Sequence, residues 1–200
     1  MMNNMYAPTE IDVDKQIVMK GPNPVSFDDD MPDGQNLRYI NPTLHYKQLK
    51  LKISGKITRD LSLDKFNNYT CMFKPNSSQL PNLEKLESIF ERNKELKSTF
   101  GIPDEYNLVF TIGETDSNIR IKYMLDKYGI PKAECDTALT IDEHLKQATS
   151  GTITDYDVVV SYYFNDEKKT YGMTLRLLET HYNPIADVTK IKPTKKKSNK

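Results

Sequence analysis

Alternation of apolar and polar positions is the strongest signal in this chain. In "LHYKQLKLKISGKI", Leu49, Leu51 and Ile53 alternate with Gln48, Lys50, Lys52 and Ser54. A period of two sends one set inward and the other outward, so this is a half-buried strand with a basic outer face. Gly55 within it suggests a bulge or bend. "NYTCMFKPNSS" predicts a second strand, stopped by Pro75. The period then changes to that of a helix over Leu83 to Phe100. Leu83, Leu86, Ile89, Phe90 and Leu96 fall on one side, and Glu87, Glu91, Arg92 and Glu95 on an opposite side expected to be solvated. Asn82 suits the cap, Glu84 the positive end and Gly101 the stop.

"YNLVFTIG" and "NIRIKYML" predict two more strands, linked by a polar turn from Glu114 to Asn118. Ile119, Ile121 and Tyr123 alternate with Arg120 and Lys122, which gives a second basic face. In "TIDEHLKQATSG", Thr140 is a helix cap, Glu143 completes a capping box and Gly151 ends a short helix. A hairpin from Asp157 to Tyr182 closes the patterned region. Its first strand turns Val158, Val160, Tyr162 and Phe164 to the core and Val159, Ser161 and Tyr163 outward. Its second turns Tyr171, Met173, Leu175 and Leu177 inward and Thr174, Arg176 and Leu178 outward.

Residues 1–43 lack such periodicity. Pro8, Pro22, Pro24, Pro32 and Pro42 punctuate them, so short extended pieces such as Ile17 to Met19 are expected and a helix is not. The organisation read from the pattern is an extended Pro- and Asp-rich arm over 1–43, a β domain over 44–183 and a Lys-rich tail over 184–200. Strand, strand, helix, two strands, short helix, two strands predicts an α+β, mainly β fold. An open five-stranded barrel of the oligonucleotide-binding (OB) type is the leading candidate, with one long and one short helix. Periodicity alone leaves a sandwich open.

Composition adds one feature. The 200 residues are net neutral, with 37% hydrophobic and 28% charged residues, but 12 Tyr and 7 Phe supply large apolar areas. The charge is uneven. Residues 1–36 carry Glu10, Asp12, Asp14, Asp28, Asp29, Asp30 and Asp33 against Lys15 and Lys20. The last fourteen residues carry Lys190, Lys192, Lys195, Lys196, Lys197 and Lys200 against Asp187. A lysine tail suits an anionic partner, and equally aids solubility. Only Cys71 and Cys135 are present, far apart, which points to reduced thiols in an intracellular compartment. No signal peptide or membrane span is expected.

Catalytic constellations are poorly represented, so the chain reads as a non-enzyme with no cofactor and no metal. It has no phosphate loop and no G-x-G-x-x-G. His45, His144 and His181 fall on separate elements without zinc-ligand spacing. Pro103-Asp104 opens like a nuclease metal motif, but "NIRIKYM" lacks the acid-x-Lys that would complete it. Asp166 and Glu167 fit turn chemistry beside Lys168 and Lys169, and both cysteines read as buried small hydrophobes.

Binding chemistry is better represented. Single-stranded nucleic acid is held by a basic groove and by aromatic faces on which bases stack. Tyr163 and Arg176 share the outer face of the hairpin. With Lys50, Lys52, Arg120 and Lys122 they would line such a groove, to which Lys195, Lys196 and Lys197 would add phosphate contacts. Outward lysines also keep strands soluble and blunt sheet edges, which is the competing explanation.

"CMFKPNSSQLPNLEKLESIFERNKEL" resembles the strand, Pro-Asn break and long helix of single-stranded DNA-binding proteins of short-tailed phages and their relatives in large DNA viruses. The closing hairpin is similar too, through Tyr163, Phe164, Asn165, Tyr171, Gly172, Leu175 and Leu177. The resemblance spans roughly residues 44–183. It implies an OB fold and sequence-tolerant ssDNA binding in viral replication or recombination, with ssDNA favoured over RNA and with replication proteins or self-association as further partners. That family ends in an acidic tail that contacts replication partners and competes with DNA. This chain ends in lysines, and its acidic stretch, Asp28 to Asp33, lies at the other end, so that regulation does not transfer. The alternative is a structural or scaffold protein, such as a minor capsid component, whose N-terminal arm is ordered by a partner.

Overall fold

A computed structural model describes residues 5–23, 37–110, 112, 117–132, 135 and 137–183. The fold is mainly β, with one mixed sheet of nine strands among the described residues and few helices. In chain order the elements are α1 (Val13–Gln16), β1 (Ile17–Asn23), β2 (Leu37–Leu44), β3 (Lys47–Gln48), β4 (Lys50–Leu63), β5 (Tyr69–Pro75), α2 (Leu80–Glu87), α3 (Ile89–Arg92), α4 (Lys94–Thr99), β6 (Asn107–Leu108), β7 (Ile119–Lys122), α5 (Ile141–Gln147), β8 (Ile153–Asn165) and β9 (Thr170–Asn183).

Five strands pair in a circuit. β4 pairs antiparallel with β5 and with β8, β5 antiparallel with β7, β7 parallel with β9, and β9 antiparallel with β8. Irregularities bend the long strands enough for this. The β4–β5 register shifts between Ile57 and Arg59 and again between Arg59 and Ser62, and β8–β9 shifts between Asp157 and Val158. Such bulges increase local twist and curvature. Gly55 has a different role from the expected bend. A Cβ there would lie 2.1 Å from the Lys74 carbonyl oxygen, so the glycine permits a close backbone approach. β8 is long enough to serve two neighbours, β4 along Ile153–Val159 and β2 along Tyr162–Asn165. β2 in turn pairs with β1 and β3.

The inward sets are those the alternation predicts, but Val159, Ser161 and Leu178, expected to face outward, are buried as well, because β8 and β9 are covered on both faces there. Val158, Val160, Tyr162 and Phe164 of β8 and Tyr171, Met173, Leu175 and Leu177 of β9 are all buried in one core. At one end α2 and α3 cover it. Tyr162 donates from its hydroxyl to the Leu86 carbonyl at 2.6 Å. The Phe90 ring stands edge-on to Tyr162, Phe164 and Tyr171. At the α5 end a polar seam runs through the core. Hydrogen bonds link Cys71 to Tyr156, Tyr156 to Tyr123, Tyr123 to Tyr182 and Tyr182 to His144. Every hydroxyl in that seam has a partner, as burial demands. Burial pushes the Cys71 thiol up to about 11 and lowers the pKa of His144.

Several expectations need correction. The segment before Ile17 is partly helical, with a 3-10 turn at Pro8–Glu10 and the single turn of α1. Pro8 occupies a first helical position, where its missing N–H costs nothing. The long helix is three pieces, because Ser88 and Asn93 leave helical geometry and Asn93 caps α4 by accepting from Leu96 N. Asn82 lies inside α2 and caps nothing; its amide donates to the carbonyls of Pro8 and Ile11. Glu87 is 2% exposed rather than solvated, and both its carboxylate oxygens accept from Ile112 N. Among the described residues of "YNLVFTIG" only Asn107–Leu108 are strand, and Val109 and Phe110 are exposed beyond them. α5 has the expected capping box but ends at Gln147, with Gly151 in a following turn. Cys135 is half-buried. The expected turn over Glu114–Asn118 lies mostly outside the described residues, and the tail wholly so.

Candidate functional site

The β5–β7 ladder sets Thr70 opposite Lys122 and Met72 opposite Arg120. With Cys71, Phe73, Ile119 and Ile121 committed to the core, these four side chains turn to the other face. They form the middle of a groove of about 770 Å³.

One end of the groove is built by the β8–β9 hairpin, with Tyr163, Asn165 and Lys168, by Leu37 and Tyr39 of β2, and by Phe110. The turn after β8 is fixed there. Asn165 Oδ1 accepts from Lys168 N at 2.8 Å. Asp166 accepts from Arg38 Nε and Nη2, each at 2.9 Å, and from the Tyr106 hydroxyl at 2.6 Å. The Arg38 guanidinium holds the Asp166 carboxyl below the usual carboxylate range. Turn chemistry therefore explains only part of Asp166, which also ties the hairpin to β2 and to the segment before β6.

The other end is built by two turns. Asp64, Phe66, Asn67 and Asn68 come from the β4–β5 connection, and Asp126, Lys127 and Lys132 from the segment after β7. The lining thus includes five cations, Arg120, Lys122, Lys127, Lys132 and Lys168, against two carboxylates. Those carboxylates are engaged within their own turns. Asp64 Oδ1 accepts from the backbone of Phe66 and Asn68, and Asp126 Oδ1 from that of Tyr128 and Ile130. Phe66 and Phe110 are 40% and 39% exposed, unusually open for Phe in a globular chain.

Tyr163 occupies its place because of Gly172. Residue 172 sits opposite Tyr163 in the hairpin register. A Cβ there would lie 2.9 Å from the Tyr163 hydroxyl and 3.0 Å from two ring carbons. The ring therefore lies across the bare backbone of β9, beside Tyr39 on β2. Burial is the main cause of its raised pKa, which the Arg120 charge opposes.

The sequence-derived residues separate into three groups. Arg120, Lys122 and Tyr163 come together in the groove. Lys50, Lys52 and Arg176 do not border it. Lys50 and Lys52 face Val159 and Asp157 across β4–β8, and Lys52 forms an ion pair with Asp157 at 3.6 Å. Arg176 lies opposite Val159 and Lys122, and its Nη2 donates to Ser161 Oγ at 3.3 Å. Lys195, Lys196 and Lys197 lie outside the described residues, as does Asp28 to Asp33. Tyr39, Phe66, Phe110, Lys127, Lys132 and Lys168, which the pattern does not single out for binding, also line the groove. A signal for some of them exists in the sequence, since Asp-Lys-Phe at 64–66 and Asp-Lys-Tyr at 126–128 put an aromatic residue inside a polar turn.

No helix among the described residues is long and apolar enough to cross a membrane. Comparisons with protein-family models, with curated proteins and with solved structures find no match to this chain, so the groove itself carries the functional reading.

Proposed function

We propose that this chain binds single-stranded nucleic acid, ssDNA in preference to RNA, in a sequence-tolerant way through the β5–β7 groove, on a barrel of the OB type. Numbered in chain order, β4, β5, β7, β8 and β9 would be its five strands. The circuit of pairings among them supports closure, and α5 falls between the third and fourth. In that type of barrel, oligonucleotides bind on strands two and three and on the loops joining one to two and four to five. The corresponding parts here are β5, β7, residues 64–68 and residues 166–169. The observation that carries the proposal is that all four contribute to one groove, and that its lining combines cations with aromatic side chains.

The chemistry is a division of labour. Cations neutralise phosphates and release counterions, whatever the sequence. Aromatic faces take bases, because every base presents a π face. Nothing in that lining calls for bond making or breaking, so the proposed role is to hold the strand. The likeness of the closing hairpin to phage ssDNA-binding proteins supports a role in replication or recombination.

Anisotropy titration of a fluorescein-labelled dT oligomer at low salt tests this, with ssRNA and duplex DNA of equal length as competitors. The expected order is dT above RNA and both above duplex. Absence of dT binding at low salt would defeat the proposal. A stable stoichiometric self-assembly in its place would favour the scaffold alternative.

A further inference from the structure

The two turns at the far end of the groove are the same device built twice. Asp64-Lys65-Phe66-Asn67-Asn68 and Asp126-Lys127-Tyr128-Gly129-Ile130 share four hydrogen bonds at equivalent positions. The aspartate N–H donates to the fifth residue's carbonyl, at 2.9 Å in both. The fourth residue's N–H donates to the aspartate carbonyl, at 3.1 Å and 2.9 Å. The aspartate Oδ1 accepts from the third and fifth residues, at 2.8 Å and 3.0 Å in one turn and 2.8 Å and 2.9 Å in the other. The fourth residue has positive φ in both, 59° at Asn67 and 80° at Gly129.

Each turn presents its third residue in the same way. Phe66 is 40% and Tyr128 71% exposed, and the preceding lysine stands over each ring, at 4.9 Å and 5.2 Å from the centroid. The two turns also leave the same end of one ladder. Thr70 faces Lys122, and Tyr123 N donates to the Tyr69 carbonyl, so the chain enters β5 where it leaves β7. Single exposed aromatics are ordinary on protein surfaces. Two rings on matching stiff turns, each beside a lysine, with Phe66 lining the end of a cationic groove and Tyr128 on the neighbouring turn just outside the lining, are not accounted for by that. A stiff turn also lowers the ordering cost of using its ring for binding.

The geometry points to a two-pronged stacking end, in which Phe66 and Tyr128 take unpaired nucleobases of a strand whose phosphates lie along Arg120 and Lys122. The inference rests on the groove being a nucleic-acid site and adds what selects for single strands. Bases in a duplex are already stacked and offer no face to either ring.

The test uses the full chain, with Phe66→Ala, Tyr128→Ala, the double variant, and Phe66→Leu and Tyr128→Leu to keep apolar bulk without a ring. The probes are a dT oligomer of about 12 nucleotides, within the size range one such domain covers, and an abasic deoxyribose-phosphate chain of equal length and charge. Each single Ala or Leu variant is expected to weaken dT binding by about ten-fold and to leave abasic binding within about two-fold. The ratio of dT to abasic affinity should collapse in the double variant while its melting temperature holds. A parent chain that binds both probes equally, or variants that keep the parent's ratio, would overturn the stacking end and leave the groove reading intact. A parent that binds neither probe overturns both.

Discussion

Whether Tyr163 can serve the groove is decided by the residue opposite it. Gly172 leaves the space into which the ring folds, so a methyl group there would have to push the ring or the strand aside. Overpacking of this kind costs about 1–3 kcal/mol. Gly172→Ala should therefore lower stability by that amount in urea denaturation and weaken dT binding in the same titration. An unchanged denaturation midpoint would show that the ring yields freely. Residues of this sort divide by how much of their role a sequence can state. Arg120, Lys122 and Tyr163 were legible because period two assigns a strand residue to a face. Phe66 was not, because periodicity is silent in connections, and Phe110 was not, because the strand read through it stops at Leu108. Lys52 and Arg176 share the right kind of face but are drawn off by Asp157 and Ser161, partners that alternation cannot name.

At the scale of elements, the helix between β5 and β6 shows what an apolar period hides. Of the inward set, Leu83, Leu86, Ile89 and Phe90 are buried as the spacing requires, and Leu96 is half-buried against the core. The same spacing runs on through Ser88 and Asn93, whose competition for backbone hydrogen bonds breaks the helix into three. Asn82 is the instructive position. It suits a cap by residue type, yet it serves as the bracket that holds Pro8 and Ile11 against α2. Asp14 adds to the same contact through Arg92 at 2.6 Å and Lys85 at 3.8 Å, both partly exposed and so of small weight. Asn82→Ala removes two hydrogen bonds to carbonyls of buried residues and should cost about 1–3 kcal/mol. Amide exchange should rise first around Ile11 and Val13 and leave β8 and β9 protected. Uniform loss of protection would mean that the segment is not an independently opening unit.

Across the whole molecule, the order of elements was readable but the pairing was not, because alternation gives faces and not neighbours. The parallel β7–β9 contact and the junction of β2 with the far half of β8 join residues far apart in sequence. Those contacts decide which basic residues meet. The charge of the chain sums to zero, yet five cations converge on the groove while Lys50 and Lys52 lie on β4 away from it. This separates a local site from general basicity by a measurable slope. On single strands, log K falls by about 0.7 per decade of salt for each phosphate neutralised, so five contacts give a slope of about −3.5. Lys127→Gln and Lys168→Gln, both at exposed positions on turns, should each reduce that slope by about 0.7. Lys50→Gln and Lys52→Gln should leave it unchanged. If all four substitutions lowered the slope equally, attraction would come from overall charge and the groove would lose its claim. If only the first pair did so, the phosphate path would be mapped to the β5–β7 side of the molecule.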